Sequence, residues 1–252
     1  MEVSKKLIII PTYNEKENIT AMIETVMALP FAPDLLVIDD NSPDGTADLV
    51  RQAQPRFPGR IDMICREGKL GLGTAYIAGF KYALERGYDY IFEMDCDFSH
   101  NPADTVRLLE ECEVNGSDLA VGSRYKSGVN VVNWPMGRVL MSYFASKYVR
   151  FITRIPVSDT TAGFVCYKAD VLRAIDLDNI RFKGYAFQIE MKFTAHQLGF
   201  KVGEVPIVFT NRVLGTSKMN SGIFGEAFFG VLSMKLRSLL SKPKRRGDAA
   251  DS

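Results

Sequence analysis

The chain has 252 residues, 46% of them hydrophobic, with 31 Lys and Arg against 30 Asp and Glu, a net charge of +1. This length suits one α/β domain with its own core, and the balanced charge gives no bulk field for nucleic acid, which we exclude as a partner. The four cysteines are widely spaced, a pattern that favours reduced thiols in a cytoplasmic protein. No apolar stretch reaches the roughly 18 residues of a transmembrane helix.

Short apolar runs alternate with helical periodicity through the first half of the chain. Strands are predicted at residues 7–10, 35–38, 61–65, 90–94 and 119–121, and helices at 14–29, 46–53, 71–86 and 101–114. This order indicates βαβ units, and hence an α/β fold with a mostly parallel, Rossmann-like sheet and helices on both faces. The loops that follow the strands then lie at one edge of the sheet, where ligands bind in such folds.

The alternation loosens beyond residue 123. Helices are predicted at about 137–153, 185–198 and 222–240, and strands at 164–167 and 201–209. We expect residues 1–220 to form one domain. Residues 221–252 are expected to form a helical extension, in which an amphipathic helix precedes a basic tail of disordered composition.

Carboxylates follow three of the first four predicted strands. These acids are Glu15, Asp39, Asp40, Asp95 and Asp97. Asp95 and Asp97 stand at positions i and i+2, so they can direct oxygens toward one hard cation such as Mg²⁺ or Mn²⁺. Such an ion would neutralise the charge on a diphosphate leaving group, whereas the alternative is a solvated turn or a helix cap. The position after a strand favours the metal–diphosphate interpretation.

Two neighbouring segments allow more than one interpretation. The turn at residues 39–42 is either ordinary or carries a carboxylate for a nucleobase, with Asp40 favoured over Asp39. The glycine-rich segment 68–73 matches neither a Walker A nor a GxGxxG motif. Close packing at the helix start explains its glycines better than phosphate binding does, although Lys69 can reach toward a nucleotide.

Four basic residues fall in predicted loops or helix starts. They are Arg124, Arg138, Arg212 and Lys218. Arginine binds phosphate through paired N–H donors and lysine acts as a mobile point charge, although a single such residue is more often a solvated surface charge. His100 lies beside the acids or caps the following helix, and we interpret His196 as structural. The sequence therefore shows no nucleophile–histidine relay.

Several longer motifs resemble one family. They are IIIPTYNE at 8–15, VIDDNSPDGT at 37–46, GKLGLGTAY at 68–76, MDCDFSHNP at 94–102, GSRYKSG at 122–128, DTTAGF at 159–164, GYAFQIEM at 184–191, GEVPIVF at 203–209 and NRVLGTSK at 211–218. Together they resemble the family-2 glycosyltransferases of the GT-A fold, and among these the dolichol- or polyprenol-phosphate mannose synthases. The resemblance extends over residues 7–218 in order.

The resemblance implies a role for individual residues. The nucleotide-sugar site would consist of Pro11, Tyr13, Glu15, Ile38, Asp40, Lys69, Met94, Asp95, Cys96, Asp97, Arg124, Arg212 and Lys218. The acceptor phosphate would bind Arg124, Arg138 and Ser142, the metal would bind Asp95, Asp97 and Ser99, and catalysis would rest on Asp97, Arg124, Arg212 and Lys218. Cys96 stands where the family often has alanine, and Ser99 where some relatives have glutamine, which makes a third metal ligand less secure.

The resemblance also implies a reaction, the inverting transfer of mannose from GDP-mannose to a polyprenyl, dolichyl-type monophosphate, with Mg²⁺ or Mn²⁺ as cofactor. A phosphomonoester has a second pKa of about 6, so it is already nucleophilic near neutral pH, which explains the missing base. Two alternatives stay open: glucose transfer from UDP-glucose to the same lipid, and transfer to a sugar hydroxyl with Glu190 as base.

A polyprenyl acceptor implies contact with a membrane. Apolar helices near residues 139–152 and 223–240, the second followed by the basic run 242–246, predict a peripheral protein on the cytoplasmic face. The alternatives are that these helices only cover the sheet, or that a separate membrane-anchoring protein recruits the chain.

Overall fold

A computed structural model describes residues 4–184, 186–211 and 223–240. The strands are β1 (Lys6–Thr12), β2 (Asp34–Asp39), β3 (Ile61–Cys65), β4 (Tyr90–Glu93), β5 (Leu119–Ser123), β6 (Val131–Val132), β7 (Val165–Lys168), β8 (Val202–Pro206) and β9 (Phe209–Thr210). The helices are α1 (Ile19–Met27), α2 (Thr46–Ala53), α3 (Leu72–Glu85), α4 (Asp104–Glu113), α5 (Met136–Thr153), α6 (Ala169–Ala174), α7 (Ala186–Gln197) and α8 (Ile223–Leu240). Short 3₁₀ turns occupy Gln54–Arg56 and Leu177–Asn179.

The main sheet has seven strands in the order β3-β2-β1-β4-β7-β5-β8. All neighbours are parallel except β7, which runs antiparallel to both β4 and β5. The predicted mostly parallel sheet is therefore confirmed. A second sheet pairs β6 with β9, in parallel.

Two apolar layers cover the two faces of the sheet. Ile8 and Ile10 of β1 belong to the layer that includes residues of α1, α2 and α4, whereas Leu7 and Ile9 belong to the layer with α3 and α7. Alternate residues of a strand point to opposite faces. A strand buried on both faces therefore reads as the continuous apolar run seen in the sequence.

The first helix begins later than the sequence predicts. It was expected from residue 14, but α1 begins at Ile19. Asn14 has a left-handed φ of 57°, and its N–H donates to Ser42 Oγ (3.0 Å) while the N–H of Glu15 donates to Thr46 Oγ1 (3.0 Å). These bonds join the loop after β1 to the loop after β2, so the first residues serve the carboxyl edge of the sheet rather than the helix.

Two further predicted elements differ from the structure. The helix expected from residue 101 begins at Asp104. The strand expected over 201–209 is divided, because β8 ends at Pro206 and Phe209–Thr210 leaves the main sheet to pair with β6. The N–H of Ile207 still donates to the carbonyl of Ser123 (3.0 Å), whereas the N–H of Phe209 donates to the carbonyl of Asn130 instead (3.0 Å).

The helix predicted near residues 222–240 is confirmed as α8, which packs on α5 and α7. The proposed boundary near residue 220 stays a prediction, and the basic tail expected after residue 240 lies outside the described residues. Within the part of the chain that the structure describes, no helix combines the length and apolar character needed to cross a bilayer.

Candidate active site

The loops after β1, β2, β3 and β4 meet at one side of the molecule because these strands are parallel. We call this side the carboxyl edge. Pro11 and Ile38 are register partners in β1 and β2 just below it. Ile38 is fully buried in the core, so we expect a nucleotide to meet its main chain rather than its side chain.

The two aspartates after β2 have different environments. Asp39 is buried and accepts hydrogen bonds from Thr12 Oγ1 (2.9 Å) and the N–H of Ser42 (2.9 Å). It closes the turn. Asp40 instead faces Arg66, whose Nε and Nη2 both lie 2.6 Å from Asp40 Oδ1. Burial raises the pKa of Asp40, and the Arg66 guanidinium opposes that rise.

Arg66 is a residue of the carboxyl edge that the sequence reasoning missed. Besides Asp40 it binds the glycine-rich loop, donating from Nη1 to Thr74 Oγ1 (2.7 Å) and from Nη2 to the carbonyl of Gly71 (3.3 Å). Its position directly after β3 was the available signal, because the other strands of this edge are also followed by charged residues.

The glycine-rich loop packs closely, as the sequence predicted. The N–H of Gly73 donates to the carbonyl of Lys183 (2.8 Å), and a Cβ at this position would lie 2.7 Å from the Phe187 ring. Lys69 places its Nζ 5.4 Å from the ring centroid of Tyr13. Two residues expected at the nucleotide therefore lie together at the carboxyl edge.

The acidic motif follows β4 directly. Asp97 is buried and its Oδ1 accepts the N–H of Ser99 (3.0 Å), while Asp95 keeps 41% of its side chain exposed. Met94 and Cys96 are buried in the core, so we expect a ligand to meet their main-chain atoms.

The oxygen atoms present suit a hard divalent cation. Asp95 and Asp97 supply carboxylates, and the described residues contain no group of three or more His, Cys, Asp or Glu side chains that could hold a metal by itself. Mg²⁺ and Mn²⁺ commonly take one or two carboxylates and complete their shells with phosphate and water. A two-carboxylate site therefore fits an ion shared with a diphosphate.

His100 is a member of an aromatic cluster rather than a helix cap. Its ring stacks on Phe164 (centroids 4.9 Å apart) and meets Phe209 edge-on at 5.0 Å, and Nδ1 lies 4.0 Å from Asp95 Oδ2. Burial lowers the pKa of His100 to about 4. The imidazole is therefore neutral near pH 7, and its contact with Asp95 is not an ion pair.

Arg124 is buried and held in place by a carboxylate. Its Nε donates to Asp159 Oδ2 (2.6 Å) and its Nη2 to Asp159 Oδ1 (2.7 Å) and Thr161 Oγ1 (2.9 Å). Trp134 and Phe209 lie beside the guanidinium, at 5.4 and 5.6 Å from ring centroid to Cζ. The paired arrangement fixes the fork of donors in one orientation.

Asp159 is a second site residue that the sequence reasoning missed, although its motif was noted. Glu204 fixes the loop that carries it, because Glu204 Oε1 accepts the N–H groups of Ser158 (2.6 Å) and Asp159 (3.1 Å). The Arg124 guanidinium keeps the pKa of Asp159 below its usual value in spite of burial. The motif itself gives no sign that Asp159 binds an arginine 35 residues earlier in the chain.

Arg138 joins the same aromatic cluster from the first turns of α5. Its Cζ lies 3.9 Å from the Trp134 ring centroid, and its Nη1 donates to Asn211 Oδ1 (3.3 Å). Trp134 in turn meets Phe209 edge-on at 5.2 Å. Ser142, one turn further along α5, is half-buried. The structure thus brings Asp95, Arg124 and Arg138 around one cluster of aromatic rings.

Three predictions have separate outcomes. Arg212 and Lys218 lie outside the described residues, so their roles stay predictions. Glu190, considered as a base, uses Oε2 to accept the N–H groups of Arg181 (2.9 Å) and Phe182 (3.0 Å), which ties it to the preceding loop. Glu15 accepts a hydrogen bond from Asn18 Nδ2 (3.1 Å) beside the loop after β2.

A buried polar network lies beneath the acidic motif. Gln188 Nε2 donates to Glu93 Oε2 (2.6 Å), and Lys192 Nζ donates to the carbonyls of Ala162 (2.6 Å) and Gln188 (3.0 Å). Burial raises the pKa of Glu93 and lowers that of Lys192, each to about 8, and the two groups favour each other's charged form. Gln188 lies in the motif at 184–191, but its bond to Glu93 and the role of Lys192 were not predicted from the sequence.

The fold and the carboxyl edge define a class of protein. A mostly parallel sheet with paired carboxylates after its fourth strand is a GT-A-type architecture, which fits a transferase acting on a nucleotide-diphosphate sugar. The model of glycosyl transferase family 2 matches residues 7–176, and the chain belongs to this family. It is therefore a glycosyltransferase, as the resemblance implied.

Two relatives match nearly the whole chain. A polyprenol monophosphomannose synthase of Mycolicibacterium smegmatis is 43% identical over 240 residues, which cover 95% of this chain and 90% of that protein. An undecaprenyl-phosphate mannosyltransferase of Micrococcus luteus is 47% identical over 225 residues, covering 89% and 91% of the two chains.

Solved structures with the same fold include glucosyl-3-phosphoglycerate synthase from Mycobacterium tuberculosis, in complex with Mn²⁺, UDP and glucosyl-3-phosphoglycerate. The TM-score is 0.65 at 15% identity, over 93% of this chain and 79% of that one. The same enzyme with Mn²⁺, UDP-glucose and glycerol 3-phosphate gives a TM-score of 0.66 at 15% identity, with the same coverage. At this identity the likeness establishes the fold alone.

Proposed function

We propose that the protein transfers mannose from GDP-mannose to a polyprenyl monophosphate, with inversion at the anomeric carbon and GDP as leaving group. The observation that carries this proposal is the convergence of Asp95, Arg124 and Arg138 on one aromatic cluster. One site then contains acids that can hold a metal ion for the donor diphosphate and arginines that can bind the acceptor phosphate. Relatives named for polyprenol and undecaprenyl-phosphate mannosyl transfer, at 43% and 47% identity, support the choice of sugar and acceptor.

The donor half of the site is the carboxyl edge at β1 to β4. Tyr13 and Lys69 contact each other there, and Asp40 is oriented by Arg66. A carboxylate held in this way can accept N–H bonds from a guanine base. Asp95 and Asp97 would hold Mg²⁺ or Mn²⁺, which, when bound, neutralises charge on the departing diphosphate.

The acceptor half needs orientation more than a base. A lipid monophosphate with a second pKa of about 6 is largely dianionic at neutral pH, so one of its oxygens can attack the sugar directly. The difficulty is to bring this dianion beside a diphosphate. Arg124 and Arg138 would offset the repulsion, since fixed cations in a site sheltered by aromatic rings act more strongly than in water. Ser142, on α5 one turn after Arg138, would add a hydroxyl donor.

The proposal includes a location at the cytoplasmic face of a membrane, where a polyprenyl phosphate is found. The surface formed by α5 and α8, which we call the α5–α8 face, exposes large apolar side chains. They are Met136, Leu140, Phe144, Phe151, Phe229, Leu236, Leu239 and Leu240. The groove between the helices is also lined by Lys147, Arg150, Arg154 and Lys235. Apolar side chains edged by cations suit the interface of an anionic bilayer.

Product analysis tests the reaction. Purified protein is incubated with a polyprenyl phosphate, Mg²⁺ or Mn²⁺, and either GDP-mannose or UDP-glucose, and the lipid product is identified by mass spectrometry. We expect a mannosylated lipid from GDP-mannose only, and none after chelation of the metal. A lipid product from UDP-glucose alone would refute the proposed donor, and transfer to a sugar hydroxyl would refute the proposed acceptor.

Substitution of Asp97 tests the assignment of the acids. Asp97→Ala should lower kcat on the order of 10²-fold or more, because Asp97 would help to hold the cation that neutralises charge on the departing diphosphate in the transition state. The matched control is Asp170→Ala, which removes a carboxylate that is 82% exposed and pairs with Arg173 on the surface. Metal-dependent transfer that survives Asp97→Ala at the control's rate would show that the acids do not serve the diphosphate.

A further inference from the structure

Helix α7 carries two buried polar side chains one turn apart, Gln188 and Lys192. Lys192 has no exposed surface and Gln188 only 2%. A fully buried lysine is rare because desolvation disfavours its charge. Lys192 Nζ is nevertheless well provided with acceptors, namely the carbonyls of Ala162 (2.6 Å) and Gln188 (3.0 Å) and the side-chain oxygen of Gln188 (3.4 Å).

The partners of these two side chains lead to the two halves of the active site. Gln188 donates to Glu93 (2.6 Å), the last residue of β4, which directly precedes the acidic motif. Lys192 donates to the carbonyl of Ala162. Asp159 and Thr161, which both accept hydrogen bonds from Arg124, precede Ala162 in the same loop. The Lys192 ammonium therefore lies between β4, which precedes Asp95 and Asp97, and the loop that orients Arg124.

The charges in this buried region alternate in sign. Arg124 pairs with Asp159, and Lys192 favours the ionised forms of both Asp159 and Glu93. Apolar residues of similar size often stabilise a core as well as or better than a buried ionic group does. A gain in stability therefore explains poorly why a lysine is buried at position 192. A better explanation is that Lys192 fixes one geometry of the polar groups around it.

We infer that Lys192 is a positioning residue for mannosyl transfer, holding the 159–162 loop so that Asp159 presents the Arg124 guanidinium to the acceptor phosphate. This inference rests on the proposed function, because it assigns Arg124 to the acceptor. Glu204 fixes the same loop from the other end, through the N–H groups of Ser158 and Asp159. The loop is thus held at both ends, and Lys192 supplies the bond nearest to Thr161.

Lys192→Met tests the inference, since it removes the ammonium and keeps most of the buried stem. We expect kcat to fall by roughly tenfold to 100-fold and KM for the polyprenyl phosphate to rise, because misplacing a positioned group by about 1 Å costs about this much. The dissociation constant of GDP-mannose with metal should stay within about twofold. Rates are expressed per folded molecule. The control is Ile189→Ala, which opens a cavity in the core at the same helix turn and removes no side-chain hydrogen bond.

Hydrogen–deuterium exchange gives a second readout that needs no substrate. Lys192→Met should accelerate exchange at residues 158–164 and leave residues 7–10 of β1 as in the wild type, whereas Ile189→Ala should not single out this loop. Unchanged exchange at 158–164, wild-type kinetics in Lys192→Met, or a loss equal to that of Ile189→Ala would each overturn the inference. If the wild type makes no lipid product, the proposed function fails, and the exchange result still decides whether Lys192 holds the loop.

Discussion

Two arginines at the carboxyl edge are each bound by an aspartate, Arg66 by Asp40 and Arg124 by Asp159. Acids that converge after parallel strands would repel one another without compensation. At Asp40 the Arg66 guanidinium supplies that compensation. Each pair also restricts the arginine to one rotamer, so the donors are oriented before any ligand arrives.

His100 gives the molecule a pH dependence that can be measured on the metal-free protein. Burial lowers its pKa from 6.5 to about 4, so the unfolded chain binds a proton at higher pH than the folded chain does. The stability that depends on neutral His100 is therefore complete above about pH 6.5 and is lost as the pH falls toward 4. Between pH 7 and pH 4.5 this loss amounts to about 2 kcal/mol.

The substitution His100→Phe isolates that effect. Phenylalanine keeps a ring against Phe164 and Phe209 and removes the titrating group. Urea unfolding at pH 7 and pH 4.5 should show that the wild type loses about 2 kcal/mol more than His100→Phe on acidification. Equal losses in the two proteins would mean that His100 becomes protonated in the folded state at an ordinary pKa.

At the scale of elements, the glycine-rich loop depends on close packing between α3 and α7. Gly73→Ala should lower the free energy of unfolding by about 1–3 kcal/mol, because a Cβ there would lie 2.7 Å from Phe187 and 3.0 Å from the carbonyl of Phe182. Gly68→Ala is the matched control in the same loop, since its Cβ would meet no atom within 4 Å. Chemical denaturation compares the two.

The control should stay within about 0.5 kcal/mol of the wild type. Equal stabilities for Gly73→Ala and Gly68→Ala would contradict the packing interpretation. A loss of donor binding in Gly68→Ala, with stability unchanged, would instead assign a nucleotide-binding role to the loop, the interpretation that the sequence disfavoured.

The sequence predicted the elements that follow simple periodicity, and the structure has α2 and β3 with the predicted bounds. It could not predict the divided strand after residue 206 or the late start of α1, because both depend on bonds to distant loops. The acids at the carboxyl edge could be predicted because they directly follow strands that the apolar periodicity already located. Arg66, Asp159 and Lys192 were not, since their partners lie 26, 35 and 30 residues away in the chain.

At the scale of the whole molecule, the two sides differ in what they present to solvent. The carboxyl edge carries the charged side chains that we propose bind the donor, whereas the α5–α8 face carries exposed apolar side chains such as Phe144 (62% exposed) and Phe151 (82% exposed). Helix α5 belongs to both, because Arg138 in its first turns contacts the aromatic cluster and Lys147 and Arg150 further along line the groove with α8. A lipid phosphate reaching Arg138 would therefore come from the membrane along α5.

This arrangement predicts direct binding to anionic vesicles. The double variant Lys147→Gln/Arg150→Gln should lower partitioning onto phosphatidylglycerol-containing liposomes by roughly 30-fold in a flotation assay, because each cation near the surface contributes about 1 kcal/mol. The matched control is Arg51→Gln/Arg107→Gln, which removes two exposed cations from α2 and α4 on the other layer of the sheet. Its binding should equal that of the wild type.

Two further flotation experiments test the apolar and the electrostatic contributions to membrane binding separately. A chain truncated at residue 221 should also bind more weakly, since it lacks the apolar side chains of α8 such as Leu239 and Leu240. Zwitterionic vesicles should bind the wild type less than anionic ones do, and high salt should reduce the difference between them, because the contribution of the cations is screened. Wild-type flotation by both variants would contradict docking through the α5–α8 face. A wild type that stays off every vesicle would require a separate anchoring protein to bring the lipid phosphate to Arg138.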